Sequence, residues 1–277
     1  MSAPLKLYRV PASSGARLIA ELDGAFYEAP PEHEPPTTNG SVLRGFLADG
    51  GLVERPAPEG PLLPAVDPAA VGKIVCLGKN FHAHAAEFGE EVPEDPLFFP
   101  KLPETLVGHS AEVSVPAHYT DRFDHEAELA VVIGADGADI PLEEAMSHVA
   151  GYTVANDLTA RTLQGADRKK GWPWYRAKNF PGSCPLGPCF VPVDELEASD
   201  LAITCHVNGE LRQDSRTSLM VVPINRAIAH LSTYLPLHAG DIILMGTPAG
   251  VSALSDGDVV VCAVEGIGEL SSTIRRD

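Results

Sequence analysis

The sequence predicts an α+β chain that is mainly β. Short apolar runs bounded by Gly, Pro, Asn and Asp recur along its 277 residues, few segments show helical spacing, and strands and helices do not alternate as regular βαβ units. Residues 4–10 and 17–22 read as short strands around a Ser-Ser-Gly turn, and GAFYEA extends the meander. Proline-rich stretches follow near 28–36 and at 55–68, and the second reads as a linker because proline removes backbone donors. The expected division is a small N-terminal domain with its linker over 1–70 and a main domain over 71–277.

Beyond that boundary KIVCLG (73–78) is a buried strand, after which Asn80 is expected to cap a short helix that Gly89 ends. HEAELAVVIG is a strand; EEAMSHVAGYTVAND reads as a helix passing into a strand, and LTARTLQGADRKK as a helix or lid segment. AITCHVNGELRQ is a hairpin turning at Asn208-Gly209. In PINRAIAHLSTYL the residues Ile224, Ala227, Ile228, Leu231 and Leu235 recur at helical spacing, and two strands close the chain.

A hydrophobic content of 44% is that of a globular protein, and no apolar run approaches the roughly 20 residues that span a bilayer. The opening MSAPLKLYRVPASSG lacks an apolar stretch of signal-peptide length, so a cytoplasmic location is expected. Five cysteines in an odd, unpaired pattern read as reduced and buried. Twenty basic against 38 acidic residues leave a charge of −18, which argues against nucleic acid and anionic membranes as partners. An anionic substrate then needs a locally positive site. The segment from Arg161 to Lys178 holds six basic residues; Arg168 to Lys170 read as a solvated stretch, Arg161 and Lys178 as functional. Trp172, Trp174 and Tyr175 in the same segment read either as packing on a substrate or as closing a dimer contact.

Side chains two apart on a strand share a face, so Glu126 and Glu128 lie together, opposite Ala127, Leu129, Val131 and Ile133. Adjacent carboxylates repel unless a cation or proton lies between them, although a sheet edge facing water has the same pattern. Asp157, at the end of the GYTVAND strand, is a third carboxylate, with an ordinary helix cap as its alternative reading. Three carboxylates select a hard ion, Mg²⁺ or Mn²⁺ with Ca²⁺ as a further candidate, and leave coordination positions open. His84 and Glu87 share a helix face; the pair is either an oriented general base or a surface ion pair.

Taken together, CLGKNFHAHAAE, FFPK, FDHEAELAVVIG, NDLTARTLQ, RAKNF with CPLGP, NGELRQ and GDIILMGTPAGV resemble the fumarylacetoacetate hydrolase family over residues 71–275. The resemblance implies a mixed β-sandwich roll, usually a homodimer. It implies Glu126, Glu128 and Asp157 as metal ligands and His84 with Glu87 as a water-activating lid dyad. It places Lys178 beside metal and substrate, with Lys101, Arg161, Gln164 and Thr247 lining the pocket. Departures occur at Asn179–Pro181 and Thr162, where many members carry Ser-Phe-Asp and Asp. The implied activity is hydrolytic C–C cleavage of an acylpyruvate or related dioxo acid through a metal-bound enolate. The alternatives are isomerisation or decarboxylation of an unsaturated 2-oxo diacid or oxaloacetate-like acid in aromatic catabolism, and, outside catalysis, a metabolite-binding homologue. A cysteine enzyme would have Cys76 as its nucleophile.

Overall fold

The strand Ala127–Ile133 has no exposed residue, because its two alternating faces meet two different apolar clusters. Ala127, Leu129, Val131 and Ile133 pack with Ile203, Cys205, Val260, Cys262 and Leu270, whereas Ala130 and Val132 pack with Ile74, Leu186, Phe190 and Leu244. The computed structural model describes residues 3–13, 15–48, 53–119 and 121–276. The Ser-Ser-Gly turn includes Ser14, which lies outside the described residues.

Two mixed sheets face each other across the first cluster. The larger has eleven strands. Its central order is Lys6–Ala12, Cys184–Pro192, Val149–Asn156, Ala127–Ile133, Ile242–Leu244, Ile74–Gly78 and Leu97–Lys101. Most pairs are antiparallel, but Ile242–Leu244 runs parallel to Ile74–Gly78. The smaller sheet has five strands in the order Glu210–Arg216, Ala202–Val207, Val259–Val264, Gly268–Arg276 and Ala111–Val115. This is the mixed β-sandwich roll expected from the sequence, with the Asn208-Gly209 hairpin in the smaller sheet. All five cysteines are buried and free. Among the described residues no helix is long and apolar enough to cross a membrane.

Lys6–Ala12 joins the large sheet through the pairing of Leu7 with Phe190. The proline-rich stretch at 55–68 has almost no regular structure, as its prolines require, yet it does not run free. Leu62, Ala65 and Val66 are buried, and the amides of Leu62, Leu63 and Ala65 donate to the carbonyls of His109, Arg9 and Leu186. The apolar residues between the prolines are what draw this stretch onto the sheet.

Among the described residues five α-helices decorate the sandwich: α1 (Gly40–Ala48), α2 (His82–Glu87), α3 (Arg161–Lys169), α4 (Tyr175–Lys178) and α5 (Ile224–Ser232). In α5 the expected Ile224, Ala227, Ile228 and Leu231 are buried, but the helix ends before Leu235, which is exposed. The helix expected before GYTVAND is only a 3₁₀ turn, Ala145–His148. Gly89 follows the end of α2 as expected, but Asn80 does not cap it. Its amide instead donates to the carbonyls of Val222 and Met245 and accepts from the Val222 N–H, a tether across the chain that local sequence does not reveal.

Helix α1 was not anticipated from the sequence. Its buried Leu43 and Leu47 face the sheet, and its N-terminus is capped from a distance by Asp194, which accepts from the Gly40 and Ser41 amides at 3.0 and 2.9 Å. Arg44 donates to Glu195 at 2.6 Å. Burial opposes ionisation of Asp194, but the Ser41 and Gly40 hydrogen bonds outweigh it and lower its pKa. The Arg44 hydrogen bond lowers that of Glu195. A depressed carboxyl contributes stability above its unfolded pKa and loses it as pH falls through the folded value. Asp194→Asn should therefore cost about 1 kcal/mol at neutral pH, with the deficit closing as pH falls below the ordinary aspartate range. Thermal unfolding of both proteins across this range checks it; a pH-independent deficit would refute the capping account.

Candidate metal centre

Glu126 and Glu128 enter the site from the start of the central strand, and Asp157 follows the strand beside it. Register brings them together: Ala127 pairs with Asn156, Glu128 with Ala155, and the Asp157 N–H donates to the Glu126 carbonyl at 2.8 Å. Carboxylate oxygens of the three lie within 4.8 Å of one another. All three residues are buried, Glu126 at 4%, Glu128 at 1% and Asp157 at 0% exposure, so the water-facing sheet edge does not hold. Nor is Asp157 a helix cap, because the short strand Thr159–Ala160 intervenes before α3, which has no side-chain cap.

Cations are interleaved with these carboxylates. Lys178 Nζ donates to Glu126 Oε2 at 2.7 Å and to Asp157 Oδ2 at 2.6 Å. Arg161 spends each guanidinium nitrogen on the protein: Nε on Asp124 at 2.8 Å, Nη1 on Gln164 at 2.7 Å and Nη2 on Glu126. Burial resists ionisation of Glu126, but Lys178 and Arg161 outweigh it and hold its carboxyl well below the usual range. Burial, followed by the charges of Asp157 and Glu126, pushes Glu128 well above that range.

One carboxylate oxygen bears on whether a cation fits here. Lys101 Nζ lies 2.9 Å from Asp157 Oδ1 but without hydrogen-bond geometry, and this buried oxygen has no hydrogen-bond partner. Lys101 donates instead to the Lys178 carbonyl and to Ser183 Oγ. Glu128 accepts from the Gly246 N–H at 2.6 Å. Gly246 has φ +86°, and a Cβ there would come within 2.7 Å of the Asn80 Cβ, so only glycine fits this close approach. An all-oxygen donor set with an unsatisfied buried oxygen fits a small hard divalent ion.

Helix α2 closes the other side. His84 Nδ1 lies 3.1 Å from Glu87 Oε2, and Glu87 Oε1 accepts from the Gly250 N–H at 2.7 Å. The pair is thus anchored to the GTPAGV loop, with His84 only 8% exposed, and is not a free surface ion pair. Phe88 lies edge-on to His84 and beneath the Arg161 guanidinium.

A cavity of about 190 Å³ joins the two sides. His84, Glu126, Glu128, Lys178, Gln164 and Thr247 contribute to its wall, as does Arg161. Lys101, Asp157 and Glu87 lie behind that wall and act on it through their contacts. Arg168, read from sequence as solvated, lines the cavity, as do Lys79, Glu90, Phe99 and Trp174. Of the aromatic cluster only Trp174 turns inward, edge-on to Phe99 at 5.3 Å, while Trp172 and Tyr175 are half exposed. The helix read in LTARTLQGADRKK forms as α3, and the short α4 follows it.

Buried Gln213 escaped sequence reasoning. It accepts from the Ala127 N–H at 3.0 Å and donates to Thr247 Oγ1 at 2.8 Å, and Thr247 donates to the Ala127 carbonyl at 2.9 Å. This brace ties the carboxylate strand to the GTPAGV loop. NGELRQ contains Gln213, but nothing local signals a partner 86 residues away. Cys76 is fully buried, and burial, then Asp157 and Glu128, push its thiol well above the ordinary range; it is no nucleophile.

This roll, with three buried carboxylates beneath a His–Glu helix, is that of an enzyme acting on a small ligand. Residues 73–275 match the model of the fumarylacetoacetate (FAA) hydrolase C-terminal domain, and the chain belongs to that family. It is 41% identical to oxaloacetate tautomerase YisK of Bacillus subtilis, over 73% of this chain and 69% of that protein. It is 36% identical to a mitochondrial oxaloacetate decarboxylase of Dictyostelium discoideum, over 70% and 89% of the two. Among solved structures it resembles a 5-carboxymethyl-2-hydroxymuconate delta-isomerase from Mycobacterium smegmatis, with TM-score 0.78, 36% identity and coverage of 98% and 99%. It also resembles a fumarylpyruvate hydrolase from Pseudomonas aeruginosa solved with Mn²⁺ and pyruvate, with TM-score 0.72, 34% identity and coverage of 80% and 98%.

Lys178→Met should strand Glu126 and Asp157 without their shared cation, costing about 3–5 kcal/mol in metal-free buffer. Excess Mn²⁺ should then raise Tm more in this variant than in the parent. Equal Mn²⁺ shifts in both would show that Lys178 does not share its place with an ion.

Proposed function

We propose that this protein is a divalent-metal-dependent hydrolase that cleaves a C–C bond in an acylpyruvate or a related dioxo acid. The observation carrying this reading is the anchored His84–Glu87 pair, whose imidazole lines the same cavity as Glu126 and Glu128, with Asp157 directly behind them. Mg²⁺ or Mn²⁺ held by Glu126, Glu128 and Asp157 would supply Lewis acidity toward two chelating substrate oxygens.

The remaining chemistry belongs to the chain. Lys178, a buried ammonium whose pKa is raised because Asp157 and Glu126 outweigh the cost of burial, stabilises negative charge developing on the oxo acid. Arg161 lends its positive charge from the cavity wall while its nitrogens stay committed to the protein. His84, with Nδ1 turned to Glu87, leaves Nε2 to take a proton from a water that attacks the second carbonyl. Glu87, fixed by the Gly250 N–H, holds the imidazole in the required tautomer and orientation. Phe88, Phe99 and Trp174 shield this chemistry from bulk water. The proposal includes the division near residue 70, with residues 71–277 carrying the chemistry, and a homodimeric assembly.

A second reading has its own support: relatives at 41% and 36% identity are named oxaloacetate tautomerase and oxaloacetate decarboxylase. Enol–keto exchange or loss of CO₂ needs charge stabilisation and a proton donor but no attacking water. In that case His84 shuttles a proton to carbon.

Proton NMR of products from acylpyruvates, oxaloacetate and hydroxymuconate-type diacids, with added Mn²⁺, separates these outcomes. Release of pyruvate together with a carboxylic acid from an acylpyruvate, falling about a hundred- to ten-thousand-fold in His84→Ala, supports hydrolysis, whereas pyruvate formed from oxaloacetate marks decarboxylation. Full hydrolysis in that variant, or enol–keto exchange alone in the parent, defeats it. Asp157→Ala should abolish Mn²⁺-dependent turnover and weaken Mn²⁺ binding measured by titration; unchanged binding would remove Asp157 from the ligand set.

A further inference from the structure

The loop that follows Ile242–Leu244 touches both halves of the site. Its Gly246 N–H donates to Glu128, and its Gly250 N–H donates to Glu87. Whatever holds this loop therefore sets the spacing between the carboxylates and the imidazole. Backbone bonds hold its ends: the Met245 N–H donates to the Leu129 carbonyl at 3.0 Å, and the Leu254 N–H to the Phe123 carbonyl at 2.8 Å. Between these bonds residues 245–254 run back along residues 123–129, ten against seven. A regular ladder cannot absorb that surplus, so the extra residues bulge and their backbone groups need side-chain partners.

His125 and Gln213, both fully buried, supply partners from behind the loop. The Ser252 N–H donates to His125 Nε2 at 3.2 Å, so that nitrogen carries the lone pair and the ring proton lies on Nδ1. Nδ1 is 3.1 Å from Gln213 Oε1, which also accepts from the Ala127 N–H at 3.0 Å. The Gln213 amide is oriented by the same logic: its Nε2 donates to Thr247 Oγ1 and to the Pro248 carbonyl, both at 2.8 Å. Thr247 Oγ1 then donates to the Ala127 carbonyl at 2.9 Å. The donors run in one direction, from Ser252 through His125, Gln213 and Thr247 to the strand, and such chains polarise and strengthen one another in a dry interior. His125, Gln213 and Ser252 do not line the cavity, so they act on it only through the loop.

We propose that His125 is a positioning residue: its imidazole, in the Nδ1–H tautomer, works with Gln213 to set the loop over residues 246–252, and through that loop it fixes Glu128 and Glu87 together. The base is thereby held in register with the carboxylates. This rests on the reading that Glu128 is a metal ligand and His84 the base. One buried network then tunes both metal affinity and turnover from outside the cavity.

The test compares Gln213→Met and His125→Leu, near the parent in volume but without its donors, with His125→Asn, which keeps a donor close to the Nδ1 position. Mn²⁺ affinity by titration should fall about ten- to a hundred-fold in the first two. Their kcat on acylpyruvates should stay about tenfold or more below the parent even at saturating Mn²⁺, because Glu87 is displaced as well as Glu128. His125→Asn should recover part of both losses. NMR of the parent labelled with ¹⁵N-histidine should show an Nδ1–H signal that disappears in His125→Leu; an Nε2–H tautomer at His125 overturns the proposal and needs no variant to fold. Variants with lowered Tm but parental Mn²⁺ affinity and kcat overturn it too, since the network would then serve stability alone. A parent that binds no Mn²⁺ fails the metal reading and this inference together, whereas a Mn²⁺-dependent parent matched by its variants fails this inference alone.

Discussion

Three carboxylates gathered in the interior are the constraint on which the rest of this structure depends. Each buried charge costs several kcal/mol unless it is compensated, and like charges a few ångströms apart add their repulsion. The chain meets this with Lys178 between Glu126 and Asp157, Arg161 on Glu126, and the Gly246 amide on Glu128. These partners come from α4, α3 and the loop after Ile242–Leu244, so the electrostatic demand of one strand end dictates where three separate elements must sit. Rigidity follows from the same demand. Gln213 and Thr247 lock the strand to the loop, and Asn156 accepts from the Glu126 amide at 3.0 Å. Asp157 Oδ1, near the Lys101 ammonium but without a hydrogen-bond donor, is what this compensation leaves over, and it belongs to the carboxylate cluster that would hold a divalent ion.

Local pattern revealed what local physics decides. Alternation over 126–133 separated the carboxylates from the residues facing the second sheet, the Asn208-Gly209 turn formed, and the spacing of His84 and Glu87 placed them together on α2. Long-range pairing decided the rest. Asn80 looked like a cap because a cap is the local use of asparagine, but its partners lie 142 and 165 residues away. The stretch at 55–68 looked like a linker because prolines are local, whereas the burial of Leu62, Ala65 and Val66 is set by the sheet beneath them. Arg168 looked solvated among charged neighbours, yet the turn of α3 brings it to the cavity on the same side as Gln164. Helix α1 draws its cap from Asp194, 154 residues from Gly40, which no reading of residues 40–48 alone supplies.

The negative charge of the whole chain gives the cavity its character. A substrate anion approaching a surface of −18 is repelled until it reaches local positive potential, and the basic residues between Arg161 and Lys178 lie where such potential is needed. They divide by depth. Lys178 is buried and Arg161 nearly so, and both neutralise the carboxylate floor, whereas Arg168 is half exposed and pairs with Glu90 at the cavity wall. In the proposed mechanism the deep cations act on charge that develops during the reaction.

That division by depth explains how one family can hold hydrolases, isomerases, tautomerases and decarboxylases on one roll. Polarising two chelating oxygens serves all these reactions, so the floor does not have to change between them. In the proposed reading the outcome turns on what the His84–Glu87 helix delivers to the oxo acid, a water or a proton. In this chain the lid has an oriented imidazole, held by Glu87 and, through Glu87, by the Gly250 N–H. Gly250 has φ +103°, and a Cβ there would lie 1.9 Å from the Arg212 carbonyl, so the anchor is sterically as well as electrostatically determined. A base fixed this firmly suits the activation of a water, which must be aimed at one carbonyl carbon. Proton exchange at carbon needs the same imidazole aligned with one face of an enolate, but no attacking water. The anchored His84 is therefore the feature on which the proposed hydrolysis rests, and the attacking water is what distinguishes it from tautomerisation.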